Sequence, residues 1–332
     1  MSESLGAGRR FLKGKVIAEN LSAAKEVEIE VQKHIGEGGY GVASEAKITI
    51  SNETGDKARS VPLVFKEMHT KEHFDKMHAP NERFAEDFYA RQGLEYTPPP
   101  PYYPEEAAEH AFQMHTLAKK AELAVIPTFR IVRDKTGILM TDLRRMFPGV
   151  TQGFSSYDLW QKRNVIPPME RIRDIPGFIT GLLNEGKKAA DAHLQIAHSD
   201  AYFLLPDTKT GDVHYVAFDF DKFFLKPEMP HDDLLRTNIN SLAKLAIEYI
   251  RSQPVGSRER KKEELKIMEE SLLAYLKKHL GFVDYRLQAL SDFPKPLGVR
   301  MNLWWEGEAK RDSRVQWKLR RFWEAIFKKN YR

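Results

Sequence analysis

The chain has 332 residues and no cysteine. Structural disulfides, thiolate metal sites and a cysteine nucleophile are thereby excluded. No run of about 18 apolar residues occurs, the length a membrane-spanning helix needs. The opening, MSESLGAGRRFLKGKV, lacks the apolar core of a secretory signal, so a cytoplasmic location is expected. Charge of one sign is not in great excess: the formal net charge is +5. That mild basicity suits anionic ligands or acidic partners. No nucleic-acid motif accompanies it, so no nucleic-acid partner is expected. Internal repeats are absent too. The remaining composition is that of a globular chain, long enough for one large two-lobed domain or two ordinary ones.

What is present falls into two halves. VEIEVQK (27–33) alternates apolar and polar residues as a half-buried strand does. VASEAKITI and VPLVFKEM are two further strands, joined by the polar connection SNETGDKARS. Residues 70–95 are expected to be helical, and YTPPPPYYP ends that helix in an extended connector. EEAAEHAFQMHTLAKKA (105–121) is a second helix, followed by strands in AVIPTFRIV and TGILMTDL. Beyond about residue 143 the pattern turns helical. It includes one long run over 175–197, a strand pair in VHYVAFDFDKFFL, and two strong helices near 234–253 and 258–280. The expected class is α+β: a small antiparallel-sheet lobe with one main helix, then a larger helical lobe. The expected divisions are an N-terminal extension (1–24), a first lobe (25–142) with an insertion at about 70–104, a second lobe (143–280) and a basic C-terminal helical extension (281–332).

Within this frame, HIGEGGYGVASEAK carries Gly36, Gly38 and Gly41 in the pattern G-x-G-x-x-G, with Gly39 and Tyr40 between. Alone, the pattern fits an ordinary turn, because glycine accepts positive φ. Its position between two strands argues against a dinucleotide-binding site, which needs a helix N-terminus there. Lys66 interrupts an apolar strand. An unpaired buried ammonium is costly, so Lys66 either snorkels to solvent or binds an anion. If phosphates are its ligand, a helix carboxylate should hold it. Glu109 is the choice, with Glu105 and Glu106 as rivals. Asp200 lies in IAHSDAYFLL, and Asp219 and Asp221 flank Phe220 in an apolar segment nineteen positions on. A polar turn between them returns both sites to one edge. Carboxylates flanking a buried aromatic are costly unless hydrogen-bonded or bound to metal, although turn-capping aspartates are the plainer reading.

These residues together resemble the protein-kinase-like superfamily. Gly36–Gly41 looks like its glycine-rich loop and Val64-Phe65-Lys66 like its third-strand lysine motif. His198-Ser199-Asp200 looks like the catalytic-loop H-x-D, and Asp219-Phe220-Asp221 like D-F-G with the glycine replaced. MTDL (140–143) falls where the adenine-binding hinge would lie, which points to Thr141 and Leu143. The likeness covers about residues 27–252. It implies ATP with Mg²⁺ or Mn²⁺ and phosphoryl transfer to a hydroxyl, with a protein serine or threonine as the first choice of substrate. It also implies roles: the glycines and Tyr40 over the phosphates, Lys66 on them and paired with Glu109, Asp200 on the substrate hydroxyl, Asp219 and Asp221 on the metal, and His198 and Phe220 as packing supports.

The departures are specific. The metal-binding asparagine expected five residues after Asp200 is Leu205, whose place Asp221 or Asp207 would have to take. There is no A-P-E, and the segment KFFLKPEMPHDDLLRT is too short for a conventional activation loop. A pseudokinase scaffold, a small-molecule or lipopolysaccharide-type kinase, and an AMP transferase are therefore alternatives. The short segment and basic tail also suit an effector kinase secreted into a host cell. In that tail, RVQWKLRRFWEAIFKKNYR follows helical spacing with basic residues off the apolar stripe. It would either pack on the second lobe or meet an anionic lipid headgroup or inositol phosphate at a membrane surface.

Overall fold

The computed structural model describes residues 10–17, 24–38, 40–50, 59–91, 102–132, 137–143, 147, 150, 153–155, 172–252 and 258–280. Gly39, most of the proline connector and the C-terminal extension 281–332 lie outside these residues.

Six strands form a closed antiparallel barrel: β1 (Arg10–Ile17), β2 (Ala24–Gly38), β3 (Gly41–Ile50), β4 (Arg59–Met68), β5 (Phe129–Val132) and β6 (Gly137–Thr141), in the order β1-β2-β3-β4-β6-β5. Strand alternation fills it. Ile29, Val31, Ala46, Ile48, Leu63, Phe65, Val132 and Leu139 point inward and make one buried cluster. The same period of two turns Lys66, next to Phe65, to the outer face. β1 falls within the stretch expected to be an N-terminal extension. It instead pairs along β2 from Arg10↔Val31 to Ile17↔Ala24, and closes the barrel on β5 through Val16↔Val132.

Helices α1 (Lys71–Arg91) and α2 (Pro104–Lys120) lie between β4 and β5. Pro104 opens α2, where a missing N–H costs nothing. The inward stripe of α2 is Ala108, Ala111, Phe112, Met114, His115 and Ala118. It joins a second, larger core with α3 (Ile175–Asp191), α4 (His231–Ser252) and α5 (Arg258–Leu280). The helical run expected over 175–197 stops at Asp191. His193 adopts φ 55°, which no helix continues through. Leu194–Ile196 then form the short strand β7. Two hairpin strands, β8 (Tyr202–Pro206) and β9 (Val213–Ala217), and a last strand, β10 (Phe223–Leu225), complete this half.

Candidate active site

β7 and β10 pair from Leu194↔Leu225 to Ile196↔Phe223, and β8 and β9 from Tyr202↔Ala217 to Pro206↔Val213. These two pairings set a pair of single-turn 3-10 segments side by side, Ser199–Ala201 and Phe220–Lys222. Phe218 N and Asp219 N both donate to Ala201 O, at 3.1 and 3.4 Å, and Ala197 N donates to Lys222 O at 2.9 Å. The strands bracketing Asp200, β7 and β8, thus pair with the strands bracketing Asp219, β10 and β9. Asn238 of α4 fixes β7 from behind. Its Oδ1 accepts from Ile196 N, and its Nδ2 donates to Gly186 O and Leu194 O.

Lys66 reaches this junction from the barrel. Its Nζ lies 3.0 Å from Asp219 Oδ1 and 3.8 Å from Asp221 Oδ1, with all three side chains largely buried. Lys222 Nζ lies 3.3 Å from Asp221 Oδ2, and that oxygen is buried without a hydrogen-bond partner. Burial opposes the Lys66 charge, but Asp219 and Asp221 outweigh it and hold the ammonium protonated well above its ordinary range. Burial and the neighbouring Asp221 push the Asp219 carboxyl up to about 7. Burial also acts on Asp221, but Lys66, the Asp219 carboxyl and Lys222 overcome it and keep Asp221 ionised below the usual carboxylate range. Two ammonium groups therefore face two carboxylates, and Lys66 and Lys222 are the cations the cluster offers to an anionic phosphate chain. The Asp221 Oδ2 atom, ion-paired with Lys222 but without an aligned hydrogen bond, lies beside a second carboxylate, and the pair is a hard oxygen site that fits Mg²⁺ or Mn²⁺.

The glycine turn lies above. β2 and β3 pair as far as Gly38↔Gly41, with irregularities at His34 and Gly36. A Cβ on Gly41 would sit 2.3 Å from the carbonyl oxygen of Glu67, so only glycine lets β3 approach β4 there. Tyr40 O accepts from His69 N at 2.9 Å and from the Tyr102 hydroxyl at 3.4 Å. The Tyr40 ring lies 4.3 Å from Lys222 Nζ. Through Tyr40, the turn thus touches the segment that carries Asp221.

Other expected residues stand elsewhere. Glu109 does not hold Lys66: it is exposed, and the ion pairs of Lys66 go to Asp219 and Asp221. The reason is helical phase. The buried stripe of α2 runs through 108, 111, 112 and 115, and Glu109 lies off it. Glu105 and Glu106 are exposed as well. His198 is no packing support, since its side chain is 49% exposed; its Nδ1 lies 2.8 Å from Asp200 Oδ2. Phe220 does pack, at 1% exposure. Its ring meets His115, Phe129 and Phe223. Leu205 is fully buried in β8. Asp207 caps the β8–β9 turn, accepting from Lys209 N and Thr210 N, which leaves Asp221 as the second carboxylate at the site. Thr141 accepts from Thr128 N through Oγ1 and donates its own N–H to Thr128 O. Leu143 packs partly buried on the larger core.

Asn238 and His115 also matter at the site, though no motif in the sequence singles them out. Both are polar residues on an apolar helical stripe, Asn238 among Leu235, Ile239 and Leu242, and His115 among Ala108, Ala111 and Ala118. A polar group at such a position must find a partner, and that is the signal that marks them. His115 Nε2 pairs with Ile126 O at 2.9 Å.

No protein-family model and no curated protein matches the chain. Among solved structures it is similar to the PknI kinase domain of Mycobacterium tuberculosis, at 12% identity over 70% of this chain and 76% of that one, with a TM-score of 0.32. It is also similar to Rio2 kinase of Chaetomium thermophilum in its ADP/Mg²⁺–phosphoaspartate complex, at 10% identity over 83% and 72%, TM-score 0.37. A third similar structure is the CAK complex of the same organism bound to ATP-γ-S, at 12% identity over 76% and 68%, TM-score 0.38. Among the described residues of this chain, no helix is long and apolar enough to cross a membrane.

Proposed function

We propose that the chain is an ATP-dependent phosphotransferase that moves the γ-phosphoryl group of ATP to a hydroxyl, with a protein serine or threonine as the first substrate class. The observation that carries this is the buried Lys66–Asp219–Asp221 cluster beneath a glycine turn. Asp219 and Asp221 would hold a divalent cation, which supplies charge neutralisation on the phosphates. Lys66 exchanges its carboxylate partners in part for phosphate oxygens. The glycine turn and Tyr40 cover the triphosphate, and Thr141 and Leu143 border the base. Asp200, held by His198, orients the substrate hydroxyl and takes its proton. The hydroxyl oxygen bonds to the γ-phosphorus as the bond to the bridging oxygen breaks, and ADP leaves.

A second reading has specific support. Leu205 is buried where a metal ligand is wanted, and Glu109 is exposed. Both favour a nucleotide-binding scaffold without transfer. Incubation with ATP and Mg²⁺ or Mn²⁺, followed by intact-mass measurement beside Asp219→Ala, separates these. Added phosphoryl groups in the wild type alone are the expected result. An added AMP would identify the reversed transferase, and an unchanged mass with nucleotide-dependent thermal stabilisation would identify the scaffold. The basic segment 281–332 is proposed to meet anionic headgroups. Binding to anionic liposomes should then disappear on truncation near residue 296, and unchanged binding would refute it.

A further inference from the structure

A second cluster of ligating side chains lies beside the glycine turn, built from nitrogen donors as well as oxygen. Glu37 comes from the end of β2, His69 from the residue after β4, and His73 from the first turn of α1. Glu37 Oε1 lies 3.6 Å from His69 Nε2 and 3.4 Å from His73 Nε2, and the three donor atoms all fall within 4.8 Å of one another. The two imidazole rings lie 4.5 Å apart, centroid to centroid.

These separations are informative. They are long for an N–H···O hydrogen bond, which peaks near 2.9–3.0 Å. They match the edge of a coordination tetrahedron. Metal–ligand distances of about 2.0–2.2 Å for zinc place neighbouring donors roughly 3.3–3.5 Å apart. Both histidines direct Nε2 at one carboxylate oxygen, the arrangement a shared ion creates.

The backbone sets the donors in place independently of any ion. His69 N donates to Tyr40 O, and the Tyr102 hydroxyl donates to His69 O at 3.2 Å. Thr70 stands just before α1, its carbonyl accepting from Phe74 N and its Oγ1 from His73 N. His69 is buried, while the Glu37 and His73 side chains are 48% and 49% exposed. A buried anchor with two half-exposed arms leaves an open path for an ion and a coordination position facing solvent.

We propose that Glu37, His69 and His73 bind a transition-metal dication of the zinc class. Two imidazoles and one carboxylate suit Zn²⁺ and disfavour Mg²⁺, which takes oxygen ligands and keeps its waters. The site is separate from the all-carboxylate pair Asp219–Asp221 and does not depend on its function. The ion joins the glycine turn to the start of α1, two elements linked there otherwise by hydrogen bonds and ring contacts. Its binding therefore stabilises the turn as well as the fold.

The test uses the full chain, stripped with chelator and dialysed against Zn²⁺ or Co²⁺ in excess Mg²⁺. One equivalent of Zn²⁺ should be retained by elemental analysis, and Co²⁺ should give the intense visible bands of a tetrahedral site. Thermal unfolding should move upward on adding Zn²⁺. His73→Ala and Glu37→Gln alter half-exposed side chains and leave the fold intact by circular dichroism. Each should weaken Zn²⁺ binding at least about tenfold, the loss that even an outer-shell change produces. His34→Ala, an exposed histidine outside the cluster, should bind as the wild type does. No retained Zn²⁺, displacement by millimolar Mg²⁺, or equal retention by His73→Ala and the wild type would each overturn the site.

Discussion

Asp219 and Asp221 are chemically identical and two positions apart, yet their surroundings push them in opposite directions. The consequence is a pH dependence with a definite sign. Between the unfolded carboxylate value near 4 and about 7, folded Asp219 holds a proton that the unfolded chain has released. Its contribution to stability therefore falls as pH rises through that window. Asp221 has the opposite sign: its contribution is present above the unfolded value and is lost only in acid. Cation binding needs Asp219 ionised, so the metal-dependent part of ATP affinity should increase from pH 6 to pH 8. Asp219→Asn should flatten both profiles. Urea unfolding and nucleotide titration at three pH values check this, and an unchanged slope in the variant would refute the assignment. Lys66, Asp200, Asp219 and Asp221 stand out in the sequence because each is a charged group in or beside an apolar run. The sequence does not separate Glu109 from Glu105 and Glu106, because three acidic residues stand close together on one helix. Only the full buried stripe of α2 shows which of them face solvent.

At the scale of elements, the site depends on two short strand pairs that hold two 3-10 turns in contact. Asn238 is their anchor, satisfying one backbone donor and two backbone acceptors inside the core. Gly186 O lies within α3 and keeps its helical bond, so Asn238→Ala leaves Ile196 N and Leu194 O unpaired, and each buried orphan costs about 1–3 kcal/mol. A total loss of roughly 2–4 kcal/mol in urea-derived stability is expected, since the costs are not additive. A loss below about 1 kcal/mol would contradict the anchoring role. The strands β2 to β4 were readable because β2 alternates, β3 alternates from Ala46 to Ile50, and β4 is an apolar run set off by a polar connection. β7 was not. LQI continues the apolar pattern of α3, and only the left-handed conformation at His193 separates the two. Three residues carry too little periodicity to declare a strand. Their partner, Phe223–Leu225, is remote in sequence.

For the whole molecule, closure of the barrel is the feature local pattern says least about. RFLKGKVI mixes basic residues and a glycine with its apolar ones. It acts as a strand because β2 and β5 both offer it an edge. Deleting residues 1–17 should open those two edges to solvent. An unfolding temperature lower by at least about 5 °C, with self-association on gel filtration, is the expected result. An unaltered, monomeric truncation would show that β1 adds nothing to the barrel.

The central claim is that the buried cluster, joining barrel to helical half, receives a metal-bound triphosphate. The most direct measurement is calorimetric titration of ATP into the full chain, with and without Mn²⁺, for the wild type, Lys66→Met and Asp219→Asn. The account predicts binding at least about tenfold tighter with Mn²⁺ in the wild type. It predicts loss of that metal effect in Asp219→Asn, and weaker binding overall in Lys66→Met. Absence of binding, or metal-dependent binding that persists unchanged in both variants, would contradict it.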